Sequence, residues 1–181
     1  MNIEILNLNE TNLMDFPEWD NYPFSCKYCL YWEFPEEFQN IVKLDKEILL
    51  QKKFNWIQNI NNIFGNCGKI VYIDGKPIGY SQYAPPKLLP VILSYQLKPD
   101  DDAIFISCLY IVKKEFQRSN IGTHLLFEII EDLRNRKFKA IETFANKISS
   151  NNPSGPMQFY LKNGFYISKD DKHFPLMRFE L

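Results

Sequence analysis

The sequence predicts an α/β fold, a mixed twisted sheet of about seven strands with helices on both faces. Three observations carry this reading. First, Lys69 to Ile73, the pair Asp74-Gly75, and Lys76 to Tyr83 read as strand, two-residue turn and strand, because Asp-Gly tolerates the positive φ angles of tight hairpins. Second, Ala103 to Val112 is apolar on both faces, as a central strand covered by helices on each side must be, whereas a half-exposed strand would alternate. Third, Leu125, Leu126, Ile129, Ile130 and Leu133 form an amphipathic stripe for a helix over about Asn120 to Arg136, followed by a strand at Lys139 to Ala145. A strand-loop-helix-strand unit of that length implies parallel pairing with a right-handed crossover.

The other elements follow in chain order. Ile3 to Leu8 alternates apolar and polar residues and predicts a first strand. Asn12 to Glu37 is crowded with aromatics and prolines and reads as short helical turns and loops. Ile48, Leu49, Phe54, Ile57, Ile60 and Phe64 recur at helical intervals within Leu44 to Phe64, without internal Pro or Gly, and predict a helix ending near Gly65. Ala84 to Pro99 is a Pro-containing crossing loop, with a short strand or helical turn at Val91-Ile92-Leu93. A last helix over about Ser154 to Asn163 stops at Gly164, and Phe165 to Ser168 and Leu176 to Leu181 make two terminal strands. With no repeat, low-complexity tract or linker, residues 1–181 are expected to form one domain.

Composition narrows the function. The 181 residues are 45% apolar and 24% charged, with 15 Phe, 10 Tyr and 3 Trp, enough for a core and a lined pocket. Twenty-one basic against 22 acidic residues give a net charge of -1, which offers no global field for nucleic acid or an anionic membrane. The longest nearly apolar stretch is about half of a membrane span, and the N-terminus lacks a basic leader with an apolar block. A cytoplasmic protein is therefore expected, with Cys26, Cys29, Cys67 and Cys108 as thiols.

The informative segment is Val112 to Thr123, a buried strand running through a tight polar turn into a helix. A helix N-terminus exposes unpaired N–H groups and about half a positive charge, so such a turn can hold a phosphate. Gln117, Asn120 and Gly122 in this segment resemble motif A of the GCN5-related N-acetyltransferases (GNAT), with Asn120 standing where the family has Gly or Ala. Asn is the non-Gly residue most at ease in left-handed conformations. Phe159-Tyr160-Leu161-Lys162-Asn163-Gly164-Phe165, about 40 residues further on, is similar to the family's Phe-Tyr-x-Lys-x-Gly-Phe signature. Two motifs at that separation are far more specific than either alone. The resemblance covers roughly the last 110 residues; Cys26-x-x-Cys29-x-x-Trp32-Glu33 and Tyr80 to Pro85 also look similar to a bacterial and archaeal branch of these enzymes.

The resemblance implies a mostly antiparallel GNAT-like sheet, an acetyl-CoA-binding core over 69–181 and an acceptor side built in part by 1–68. It also implies acetyl transfer from acetyl-CoA to a primary amine, small-molecule or peptide, by direct attack in a ternary complex. The cofactor diphosphate would sit on the turn comprising Gln117, Arg118, Ser119, Asn120, Ile121, Gly122 and Thr123. The pantetheine arm would pair with Leu109, Tyr110, Ile111 and Val112 as an added strand, with Asn152 touching it. A splay of strands near Leu109 and Phe144 would admit the thioester, and a backbone N–H freed by a bulge near Leu109 or Tyr110 would stabilise the oxyanion. Tyr160 takes the position of the general acid that protonates the departing thiolate. Glu142 and Glu33 are the candidate general bases, with a water relay as an alternative.

The cluster of Phe24, Tyr28, Tyr31, Trp32 and Phe34 has two readings, a small secondary core or a wall of the acceptor pocket offering a cation–π surface to an amine. No metal is expected. Two other functions stay open at this point: a non-catalytic acyl-CoA-binding module, and a metal or redox protein built on Cys26 and Cys29. Oligomeric state is also open, and a homodimer is compatible with the sequence.

Overall fold

The structure is a computed structural model that describes residues 2–16, 18, 25–148 and 154–181. Seven strands, β1 (Ile3–Asn7), β2 (Gly68–Ile73), β3 (Lys76–Ala84), β4 (Ala103–Ile111), β5 (Ala140–Phe144), β6 (Tyr166–Lys169) and β7 (Leu176–Glu180), form one sheet. Their order is β1-β2-β3-β4-β5-β7-β6. Every neighbouring pair is antiparallel except β4 and β5. The helices are a single turn α1 (Pro35–Phe38), α2 (Lys46–Ile63), α3 (Ile121–Asn135) and α4 (Met157–Lys162).

Local sequence explains these boundaries. Asp74 and Gly75 take φ of 47° and 75°, the double left-handed turn that matches the twist of a hairpin. Asp45 caps α2 by accepting the Glu47 N–H at 2.8 Å. The crossing loop expected at Ala84 to Pro99 holds two short 3-10 turns, Pro86–Leu88 and Pro90–Ser94. The last helix is shorter than expected. It begins at Met157 because Gly155 has φ +76° and Pro156 is extended as its cap, and a residue before proline is disfavoured in helical conformation.

The sheet divides two cores. Ile70, Tyr72, Tyr80, Phe105 and Phe144 pack with Trp56, Ile57 and Ile60 of α2 on one face. Val71, Ile73, Ile78, Ile104, Ile106 and Ile141 meet the Leu125, Leu126, Ile129, Ile130 and Leu133 stripe of α3 on the other, where Tyr160 of α4 also lies. Burying each such aliphatic side chain contributes about 1.5–3 kcal/mol, so α3 is fixed against the sheet and its N-terminus is held in place. A third, smaller cluster of Tyr28, Leu30, Ile41 and Leu49, with Phe34 against it, sits under the N-terminal segment. Among the described residues no helix is long and apolar enough to cross a membrane.

Candidate active site

The site begins where β4 ends. The chain leaves Ile111, makes a 3-10 turn over Lys114–Phe116 and enters α3 through two left-handed residues, Arg118 (φ 63°) and Asn120 (φ 64°). Asn120 thus adopts the conformation for which its residue type is suited; Arg118 is a second left-handed residue that its type gave no reason to expect. Among the described residues the Asn120 side chain makes no capping hydrogen bond, so the first-turn amides of α3 have no side-chain cap from it. Gln117 braces the turn by donating from Nε2 to the Ile111 carbonyl at 2.8 Å, and Ser119 donates to the Phe116 carbonyl. Arg118, Ser119 and Asn120 are exposed while Ile121 is buried as the anchor. At Gly122 an added Cβ would meet only ordinary contacts, 3.6 Å from Phe159 and 3.9 Å from Ile111.

Beside this turn the sheet opens. The parallel ladder of β4 and β5 contains only Ala103–Ala140, Ile104–Ile141 and Phe105–Glu142. Beyond Phe105 the β5 side of β4 has no ladder partner among the described residues, while Leu109, Tyr110 and Ile111 still pair with β3 on the other side. Thr143 bridges the gap once, donating from Oγ1 to the Ile106 carbonyl at 2.8 Å. The register shift of β4 falls at Ser107, which has no partner between Gln82–Cys108 and Tyr83–Ile106. That is two residues earlier than the bulge expected near Leu109 or Tyr110. The Ser107 hydroxyl accounts for it, since it donates to the Gln82 carbonyl at 3.1 Å in place of a ladder bond.

Tyr160 reaches this splay from α4. Its ring is wholly buried, edge-on to Phe159 and Phe165. Its hydroxyl makes no formed hydrogen bond among the described residues, although Thr143 and Cys108 are close enough to influence it. Burial pushes the phenol above its usual pKa of 10, so it stays protonated. Gly155 makes room for it: a Cβ there would stand 3.2 Å from the Tyr160 ring and 3.4 Å from its hydroxyl.

On the α2 face a cavity of about 750 Å³ is lined by Tyr31, Trp32, Tyr95 and Phe144 as walls and by Cys26, Cys29, Ser107 and Cys108 on its inner side. Trp32 stacks on Tyr95 at 5.9 Å and Tyr95 on Phe144 at 4.6 Å. Of the aromatic cluster, Tyr31 and Trp32 line the cavity, while Tyr28 and Phe34 belong to the secondary core. Phe24 and Asn152 lie outside the described residues.

The two candidate bases differ in their surroundings. Glu142 is buried, accepts the Asp100 N–H at 2.7 Å and Arg178 Nη1 at 3.3 Å, and so has both oxygens engaged; burial raises its pKa above the ordinary carboxylate value. Glu33 is buried against Lys53 and Gln82, whose Nε2 donates to Oε1 at 2.6 Å, and its Oε2 has no partner among the described residues. Lys53 also donates to Gln82 Oε1 at 3.2 Å, and Gln82 Nε2 continues to Ser107 at 3.2 Å. Burial works against the charge on Lys53, but Glu33 outweighs it and raises the ammonium pKa. Lys53 was hidden in the sequence as one polar residue on an amphipathic helix. Among the described residues no group of three or more His, Cys, Asp or Glu is arranged to hold a metal.

A left-handed turn before a helix, a parted central strand and a buried phenol thus come together in one α/β fold. The model of the acetyltransferase (GNAT) family matches residues 18–165, and the chain belongs to that family. Solved structures agree on the fold. The PaiA N-acetyltransferase of Thermoplasma acidophilum, in complex with coenzyme A, is 18% identical with a TM-score of 0.63 over 100% of both chains. The ribosomal-protein-alanine N-acetyltransferase of Brucella melitensis is 18% identical, TM-score 0.59, over 98% of this chain and 99% of that one. The ribosomal-protein-S18-alanine N-acetyltransferase of Escherichia coli is 14% identical, TM-score 0.57, over 98% and 93%. A search of curated proteins finds no match.

Proposed function

We propose that the protein is an acetyl-CoA-dependent N-acetyltransferase that carries acetyl to a primary amine by direct attack in a ternary complex. The observation that carries this is the Tyr160 hydroxyl, buried and without a formed hydrogen bond among the described residues, at a splay that has the left-handed turn on one side and an aromatic cavity on the other. The cosubstrate supplies an activated thioester; the chain supplies the rest. The amides of Arg118 to Thr123 hold the diphosphate, with Gln117 bracing the turn from the Ile111 carbonyl. The β5 side of Leu109 to Val112, at the end of β4 and just past it, has no ladder partner among the described residues and accepts the amide-rich arm as an added strand. The cavity beside Trp32 and Tyr95 receives the amine.

Tyr160 gives its proton to the departing sulfur, whose basicity is comparable to that of a phenol. Glu33 is the favoured base because its Oε2 has no partner among the described residues, whereas Glu142 is committed to Arg178 and Asp100. A water between the amine and Glu33 completes the path.

A steady-state assay of CoA release across a panel of primary amines tests this. Tyr160→Phe is expected to lower kcat by about 10²–10⁴-fold with unchanged CoA affinity. Because burial raises the phenol's pKa, the acid keeps its proton throughout the neutral and mildly alkaline range, and kcat/KM should show no loss from it below pH 10. Acetyl-CoA binding without CoA release for any amine, with Tyr160→Phe silent, would leave a non-catalytic acyl-CoA-binding module instead.

A further inference from the structure

The cavity on the α2 face has a direction and a chemical character. Ser107 and Cys108 of β4 and Phe144 of β5, which line it at the splay, are buried, whereas Ser94, Gln96 and Phe174 are exposed. The cavity therefore runs from the parted strands to the surface. Rings wall the passage: Tyr95 lies nearly parallel to Trp32, at 10°, and to Phe144, at 15°, and Tyr31 stands edge-on to Trp32 at 84°. The Tyr31 and Tyr95 hydroxyls share a hydrogen bond at 2.7 Å, and Trp32 packs on Phe105 of β4 at 5.3 Å. These contacts hold the walls in place in the absence of a substrate, so a ligand that fits them has little ordering left to do. None of the described residues that line the cavity is an acid, a base or a histidine.

We propose that the acceptor is a small arylalkylamine, one primary amine on a short aliphatic chain that carries a flat ring; the proposal rests on the acetyltransferase reading. The amine occupies the inner end, beside Ser107 and Cys108, and its ring lies among Trp32, Tyr95 and Phe144. A volume of about 750 Å³ falls within the roughly 300–1,000 Å³ of small-molecule sites. Ring contacts add to the gain from taking apolar area out of water. The same walls count against a polyamine. Its second ammonium would be stripped of water among rings, and Glu33, the buried acid of this face, already holds Lys53 and Gln82 on Oε1 and is the base for the reacting amine. They also count against a peptide, whose amide groups would follow the terminal amine into an apolar passage.

Two measurements on the full chain test this. In the first, tryptamine, phenethylamine, butylamine, spermidine and an alanine-initiated peptide compete for acetyl-CoA, and CoA release is followed. The kcat/KM for the two arylalkylamines should exceed that for spermidine and for the peptide by about tenfold or more. Tyr95→Leu should reduce the preference for tryptamine over butylamine by about 2–10-fold; if that variant fails to fold, the wild-type ranking decides alone. In the second, tryptamine and spermidine are titrated calorimetrically into protein saturated with CoA, which reads the cavity without chemistry. Tryptamine should bind and spermidine should not. Faster turnover of spermidine or the peptide, or tryptamine bound no more tightly than spermidine, would overturn the proposal. Tryptamine binding with no turnover of any amine would uphold the ligand class of the cavity and count against the acetyltransferase reading alone.

Discussion

The two faces of the sheet are built on different principles. The face under α3 is largely aliphatic, and the hydroxyls of Tyr160 and Ser81 are buried there without a formed hydrogen bond among the described residues. The face under α2 buries Glu33, Lys53, Gln82 and Ser107 in one hydrogen-bonded chain beside three cysteines and a cavity. An aliphatic face gains stability from every side chain it covers; a face with buried charges and open volume surrenders part of that gain. Under the proposed function, one face anchors α3 and seats Tyr160, and the other carries the cavity that would receive the amine.

Breaking the charged face should have the largest effect on stability. Glu33→Gln leaves the Lys53 ammonium buried without its counter-charge and is expected to cost about 3–5 kcal/mol, read as a shift in the urea midpoint. Glu33→Gln combined with Lys53→Met should recover most of that loss, because the uncompensated charge is gone, while leaving acetyl transfer impaired. A double variant as unstable as the single one would show that the pair is not the unit.

The aliphatic face is probed at its one seat for chemistry. Gly155→Ala forces a side chain onto a residue at φ +76° and puts a Cβ 3.2 Å from the Tyr160 ring. A loss of about 1–3 kcal/mol is expected, together with reduced kcat as the phenol shifts; thermal unfolding and the CoA-release assay read the two effects separately.

The smallest effect lies at the rim of the N-terminal segment. Tyr28, Lys27 and Lys46 hydrogen-bond Glu18 and hold its pKa at about 2, against 4.5 for a free group. A lowered carboxylate pKa stabilises the fold above pH 4.5, and that contribution disappears as pH falls toward 2. Because the Glu18 side chain is 46% exposed, solvent screening limits it to less than about 1 kcal/mol. Glu18→Gln should accordingly lower stability at neutral pH by less than about 1 kcal/mol, leave it unchanged near pH 2, and so flatten the acid side of the profile between pH 4.5 and 2.

The same contrast explains what the sequence made legible. The hairpin at Asp74-Gly75, the α3 stripe, the two-sided apolar β4 and Tyr160 are written in residues adjacent along the chain, where turn chemistry and periodicity act directly. The start of α4 was misread because Ser154 extends the helical pattern while Gly155 and Pro156 forbid it. Glu33, Lys53, Gln82 and Ser107 are brought together from four separate elements. No local pattern encodes such meetings, because they depend on how α2 and the N-terminal segment lie across the sheet. The Ser107 register shift belongs with them, since it depends on a hydroxyl meeting a carbonyl of β3.

The central claim is that the amides entering α3 hold the diphosphate of CoA, and calorimetric titration of the folded protein tests it most directly. Wild-type protein should bind CoA, and Gly122→Glu, which places a carboxylate at the turn, should lose that binding while keeping its thermal stability. Equal affinity in the two proteins, or an empty site in intact wild-type protein at saturating CoA, would contradict the account.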